Sequence, residues 1–168
     1  ISNAAGLIIE TYGISPAHFG WVFGLNAAAL IGATQVNRVL LGRFGTLALV
    51  RRANAAMLVL GVLMAISAVT GWGGMWGVLV PMFFVMATLG FTTPNASALA
   101  MEVDRTRAGT VSSVVGCLQF TVGALFAAAT GAAYNGTALP MALGILVAAA
   151  AAAWLLRRVV PRLRAVAH

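Results

Sequence analysis

The sequence predicts an all-α membrane protein, a bundle of transmembrane helices. Of its 168 residues 61% are hydrophobic and only 8% are charged, which is too few polar side chains to cover a water-soluble domain. Every basic residue is an arginine, and the ten fall into three groups, at 38–52, 105–107 and 157–164. Between the groups lie apolar stretches of about 50 residues, each broken near its middle by a turn, which suits two crossings joined by a hairpin.

Composition also excludes several classes of function. The net charge of +7 would suit a nucleic-acid binder, but the positive-inside rule already accounts for the arginines, so no nucleic-acid partner is predicted. Cys117 is the single cysteine, which leaves no disulfide framework and no thiolate metal set. The sequence has no catalytic triad, phosphate loop or zinc pattern. We therefore predict no enzyme activity, no catalytic residues, no cofactor and no metal; the bilayer is the first partner.

The spans follow from the apolar stretches and the turns that end them. Residues 1–11 make only a partial span, which predicts that sequence upstream of Ile1 completes it. A turn rich in Gly and Pro separates this partial span from the first full one. The five full spans are expected at 19–36, 53–70, 76–101, 110–133 and 139–156.

Charge sets the expected orientation. Because all the arginines lie on one side of the predicted spans, that side is expected to be cytoplasmic, with the C-terminus inside. The three short turns then face outward. Aromatic residues at both interfaces agree: Tyr12, Trp72, Trp76 and Tyr134 mark the outer one and Trp154 the inner one.

Two spans carry small residues at regular spacing, as membrane helices do where their backbones approach closely. The first seam repeats every four residues and comprises Gly20, Gly24, Ala28 and Gly32. The second seam repeats every seven residues and comprises Gly109, Gly116 and Gly123. Glycine lowers helix propensity, so its repetition inside a span indicates a packing role.

Polar side chains at membrane depth are the candidate functional residues, because an unpaired polar group in hydrocarbon is costly. The segment Thr92, Thr93, Pro94, Asn95 combines hydroxyls, an amide and a helix-breaking proline, as in segments that line a cavity. An ordinary proline kink capped by the threonine hydroxyls explains it equally well. Asn26 and Gln119 are the other candidates, and interhelical hydrogen bonding is the more common role for such amides.

Acidic residues are few. No carboxylate lies deep in a full span, so any proton carrier is expected upstream. Glu10, near the outer end of the partial span, is a possible outer gate, although a solvated interfacial carboxylate is the simpler interpretation.

Several short motifs resemble the bicyclomycin-resistance branch of the major facilitator superfamily. They are Tyr12-Gly13-Ile14-Ser15-Pro16, Phe19-Gly20, Leu25-Asn26-Ala27, Gly90 with Pro94-Asn95-Ala96, the loop arginines with Ala108-Gly109, and Gly116 with Leu118-Gln119-Phe120. The resemblance covers essentially the whole chain. It implies that the chain is the C-terminal half of a twelve-span transporter, from the end of span seven through span twelve, and that a six-span N-terminal half is missing. Spans eight and eleven, where such halves meet, are the two that carry the seams.

A loop between spans eight and nine is similar to the superfamily's cytoplasmic gating signature. The gating-like loop comprises Gly42, Arg43, Phe44, Gly45, Arg51 and Arg52. It lacks the aspartate of the full signature, since Leu41 and Gly42 stand where that residue would be. Positive-inside anchoring explains these arginines equally well.

The resemblance implies proton-coupled efflux of drugs or similar small solutes by alternating access, in the inner (plasma) membrane of a bacterium. Thr92, Thr93, Pro94 and Asn95, with Asn26 and Gln119, would then line the substrate cavity. Two alternatives stay open: transport of a natural metabolite on the same fold, and a membrane scaffold that transports nothing.

Overall fold

The computed structural model describes residues 16–103 and 105–166, and this part of the chain consists of helices joined by short connections, without strands. The helices are α1 Pro16–Phe44, α2 Thr46–Thr70, α3 Trp76–Val103, α4 Ala108–Ala132 and α5 Leu139–Val166, and a short 3₁₀ helix, Arg105–Arg107, joins α3 to α4. The predicted all-α class is confirmed. The partial span at 1–11 lies outside the described residues.

Each predicted full span coincides with one helix, but several helices continue beyond it. α1 and α5 extend past the apolar stretch into their arginine groups, and α2 begins at Thr46, before Arg51 and Arg52. The predicted spans end at the first charged residues. The helices continue past them, because backbone hydrogen bonds still form there while the arginine side chains extend to the lipid headgroups. α2 to α5 are long and apolar enough to cross a membrane. α1 is more polar, with Asn26, Gln35 and Asn37 among its residues, and its crossing stays a prediction.

α3 lies at the centre of the bundle. It packs extensively against α2 on one side and α1 on the other, while α5 packs on the far side of α2. α4 touches α3 and α5 only sparsely, and none of its residues is buried. The described bundle is therefore a layer of four packed helices with α4 at its margin.

Side-chain contacts show that the arginine groups share one end of the bundle. Asn37 of α1 bonds Asn95 of α3, and Asn54 of α2 bonds the carbonyl of Ala149 in α5. The three asparagines lie toward the arginine ends of their helices, and α5 continues from Ala149 to its own arginine group. At the other end the turns meet. There Met64, Val78, Ala138 and Ala142 form a buried cluster, against which Tyr134 packs.

α1 and α3 approach closely at Gly90. A methyl group at Gly90 would lie 2.6 Å from the carbonyl oxygen of Leu30 and 2.8 Å from Cβ of Ala33, so a larger residue would force the helices apart. Small residues permit this packing in a membrane, where dispersion between closely spaced backbones stabilises helix pairs. Gly90 belongs to neither predicted seam, because a single glycine gives no periodic pattern in the sequence.

A single residue, Gly45, connects α1 to α2. Its φ of 73° and ψ of 159° lie in a region that glycine alone occupies at low cost. Its N–H still donates to the carbonyl of Leu41 at 3.0 Å, so the chain reverses direction without losing this bond. Glycine at this position is therefore a backbone requirement, whatever the gating-like loop does.

Gly45→Ala should destabilise the fold by about 1–3 kcal/mol, because alanine is strained in this conformation. Unfolding of the purified protein in detergent, followed by circular dichroism, measures the change. Gly42→Ala is the matched control: Gly42 lies three residues away within α1 with open space around it. Alanine there should be neutral or stabilising by roughly 0.5–1 kcal/mol. Equal effects of the two substitutions would contradict the assignment.

Candidate functional site

A buried hydrogen bond between side chains joins Asn95 of α3 to Asn37 of α1. The side-chain N–H of Asn95 donates to the amide oxygen of Asn37 at 2.7 Å and to the carbonyl of Phe91 at 2.8 Å. Asn95 is 2% exposed and Asn37 is 5% exposed. Excluding water strengthens such a bond and makes its loss costly. Asn95 therefore couples α3 to α1.

The residues just before Asn95 differ in their surroundings. Thr92 is half-buried and donates its hydroxyl to the carbonyl of Thr88 at 3.0 Å, whereas Thr93 and Pro94 are exposed. α3 continues through Pro94 to Val103 as one helix. This fits the proline-kink alternative, in which neighbouring hydroxyls and amides satisfy the backbone near a proline. Thr93 and Pro94 nonetheless face away from the packed helices.

Asn26 and Gln119 lie on two other helices. Asn26 is half-buried on α1, and Gln119 is exposed on α4. α1 and α4 have no extensive contact along their described lengths, so this chain by itself does not enclose a cavity with walls from α1, α3 and α4. The candidate cavity residues thus form one group on α3 and two separate positions.

Both small-residue seams are open. Nothing lies within 4 Å of where a Cβ would stand on Gly20, Gly24 or Gly32, and the same holds for Gly109, Gly116 and Gly123. Ala28 is exposed as well. In the described part of the chain the seams therefore contact no other helix.

The gating-like loop is built around Phe44 and Arg52. The guanidinium carbon of Arg52 lies 4.3 Å from the centre of the Phe44 ring, a cation–π contact that joins the end of α1 to the first turns of α2. Arg43 and Arg51 are exposed, and the loop borders a pocket of about 470 Å³. Glu10, the possible outer gate, lies outside the described residues.

The chain is similar in sequence to two curated membrane transporters. The chain is 30% identical over 146 residues, 84% of its length, to the uncharacterized MFS-type transporter YdgK of Bacillus subtilis. It is 28% identical over 133 residues, 79% of its length, to the bicyclomycin resistance protein homolog of Haemophilus influenzae. The chain is a relative of the major facilitator superfamily transporters. The resemblance drawn from the short motifs is thereby confirmed.

The match covers only part of each relative. The chain spans about a third of their length, 35% of the first and 33% of the second. No family model and no solved structure matches the chain. With its apolar helices and its major facilitator relatives, it is a multi-pass membrane protein.

Asn37 and Asn54 are structural residues that were not among the candidates predicted from the sequence. Asn37 precedes Arg38, and Asn54 lies two residues after Arg52. In the structure both are buried, and Asn54 donates to the carbonyl of Ala149 at 3.1 Å. Their pairing could not be found from spacing, because each partner lies on a helix distant in sequence.

Asn95→Leu should destabilise the bundle by about 1–3 kcal/mol, because the amide of Asn37 stays buried without its donor. Asn37→Leu should act similarly, and the double variant should lose less than the sum, with a coupling of roughly 0.6–1.7 kcal/mol. Equilibrium unfolding in detergent measures all three. Thr93→Val, on the exposed side of the same helix turn, should stay within about 0.5 kcal/mol of the native protein. Strictly additive effects would contradict the pairing.

Proposed function

We propose that the chain is the C-terminal half of a proton-coupled exporter of drugs or similar small solutes, which works by alternating access. The observation that carries the proposal is the pair of open seams, on α1 and α4, in a relative of major facilitator transporters. One relative is named for bicyclomycin resistance, which favours a drug as substrate over a natural metabolite.

The open seams require an explanation, because glycine lowers helix propensity and offers no advantage on a helix face that contacts only lipid. Where this chain uses a glycine for helix packing, as at Gly90, neighbouring atoms fill the space around it. Along the two seams that space is open on both helices. Closely packed backbones stabilise helix pairs in a bilayer, so the natural occupant is another set of membrane helices. The proposed occupant is the six-span N-terminal half, with the substrate held between halves near the midplane.

Within this arrangement the exposed polar residues are the proposed solute contacts. Thr93 on α3 and Gln119 on α4 face away from the packed bundle, while Thr92 on α3 and Asn26 on α1 are half-buried. Asn95 stays in the proposed set, but a solute would have to replace its bond to Asn37. Pro94 contributes an exposed ring rather than a hydrogen bond.

Proton coupling is proposed to depend on the other half. Glu102, the acidic residue among those described, is exposed near the arginine end of α3. A carrier of protons across a membrane is generally a titratable group inside the bundle. We therefore place the main carrier in the N-terminal half, with Glu10 as a possible outer gate.

The orientation is proposed from charge. Because the arginine groups share one end of the bundle, the positive-inside rule makes that end cytoplasmic, in the inner membrane of a bacterium. The C-terminus and the gating-like loop then face the cytoplasm. There the loop would contact the partner half during the conformational cycle.

Gly24→Leu and Gly116→Leu should each reduce transport by the full-length protein about tenfold, because a large side chain on either seam prevents close approach of the other half. Drug accumulation in cells that produce the variant at native levels is the measurement. Ala150→Leu is the control, since Ala150 is exposed on α5 outside both seams. Full activity of both glycine variants would exclude the seams as the contact between halves.

Gln119→Leu and Thr93→Val should each lower efflux roughly threefold to tenfold by removing one hydrogen bond to the solute. Both side chains are exposed, so folding of this bundle should be preserved. Efflux rates at several drug concentrations separate weaker binding from slower turnover, and Val147→Leu, exposed on α5, serves as the control. Wild-type efflux from Gln119→Leu and from Asn95→Leu alike would refute the site.

A further inference from the structure

A groove opens between α1, α2 and α3 toward the arginine end of the bundle. Its volume is about 590 Å³. Its wall is almost wholly aliphatic and aromatic, and includes Leu40, Ala56, Val59, Leu60, Phe84 and Phe91. The groove is separate from the candidate cavity residues, none of which lines it. Its apolar lining is what a site for a hydrocarbon chain requires.

One end of the groove carries positive charge. Arg52 and Phe44 line both the groove and the neighbouring pocket of about 470 Å³, so the two spaces adjoin. The second pocket is also lined by Gly45, Thr46, Leu47, Ala48 and Arg51. No acidic side chain lines either space, and the first turn of α2 has none. The positive charge of Arg51 and Arg52 is therefore not neutralised by any carboxylate that lines the pocket.

The position of Arg52 is defined by its neighbour. Its guanidinium carbon lies 4.3 Å from the centre of the Phe44 ring, a cation–π contact between two residues that both line the groove. An arginine held in this way matches the oxygens of a phosphate in geometry as well as charge. The arrangement places an anion site directly beside an apolar slot.

We propose that this groove binds an anionic phospholipid, with an acyl chain in the slot and the headgroup phosphate at Arg51 and Arg52. Basic pockets between transmembrane helices at the cytoplasmic face suit such headgroups. The adjoining apolar slot fits an acyl chain, which a free phosphate does not have. The charge complementarity selects an anionic lipid over a zwitterionic one. The inference concerns a face other than the seams and does not depend on the transported solute.

The test uses the full-length protein, purified in mild detergent and stripped of lipid. Dioleoylphosphatidylglycerol is added, and bound lipid is counted by native mass spectrometry. One lipid should be retained per chain with an affinity well above that of dioleoylphosphatidylcholine, which has the same chains without net charge. Equal retention of the two lipids would overturn the proposal. Competition by millimolar glycerol phosphate that removes the lipid completely would also overturn it, since the anion site alone would then account for binding.

Variants separate the two parts of the site. Arg52→Gln should weaken retention about fivefold, as expected for one cationic contact to a headgroup. Ala56→Trp and Val59→Trp fill the slot from exposed positions on α2 and should abolish retention without unfolding α2. Arg157→Gln is the control, an exposed arginine of another group that lines neither space.

Circular dichroism and gel filtration establish that each variant is folded before lipid is added. Retention unchanged in Arg52→Gln, or unchanged in both folded tryptophan variants, would refute the site. A loss in Arg157→Gln equal to that in Arg52→Gln would refute it as well, because general attraction of lipid to positive charge would then explain binding.

Discussion

The bundle depends on the burial of α3 between two neighbours. In hydrocarbon every polar group must find a partner inside the protein, and apolar side chains give little net drive for helices to associate. In α3 one small residue allows close packing, and one polar side chain finds its partner inside the protein. Gly90 lets α1 approach, and Asn95 bonds Asn37 across the same contact. α2 covers another face of α3, while the seam on α1 stays uncovered among the described residues.

The same constraint explains why polar residues occur in two different settings. Asn37, Asn54 and Asn95 are buried and bonded across helices, and so contribute to packing. Thr93 and Gln119 are exposed on faces that no other helix covers among the described residues. In the proposed transporter the exposed group is available to a solute, while the buried group stabilises the helices that carry it.

The arginine groups contribute in a third way. The interhelical hydrogen bonds place these groups at one end of the bundle, independently of any argument from charge. This location agrees with the positive-inside rule. Arg52 is distinct from the rest, because Phe44 holds it at the mouth of an apolar groove. Arg52 therefore belongs both to the gating-like loop and to the proposed lipid site.

Local patterns predict the helices, because apolar length and the grouping of arginines follow from the thickness of a bilayer and its charge rule. The short motifs likewise indicate relatives among the major facilitator transporters. Which residues pair depends on how the helices pack against one another. Asn37 with Asn95, and Asn54 with Ala149, join helices far apart in the chain, and no periodicity within one helix encodes its partner. The glycines show the same division: spacing revealed the two seams, but only the packing distinguished the filled contact at Gly90 from the open ones.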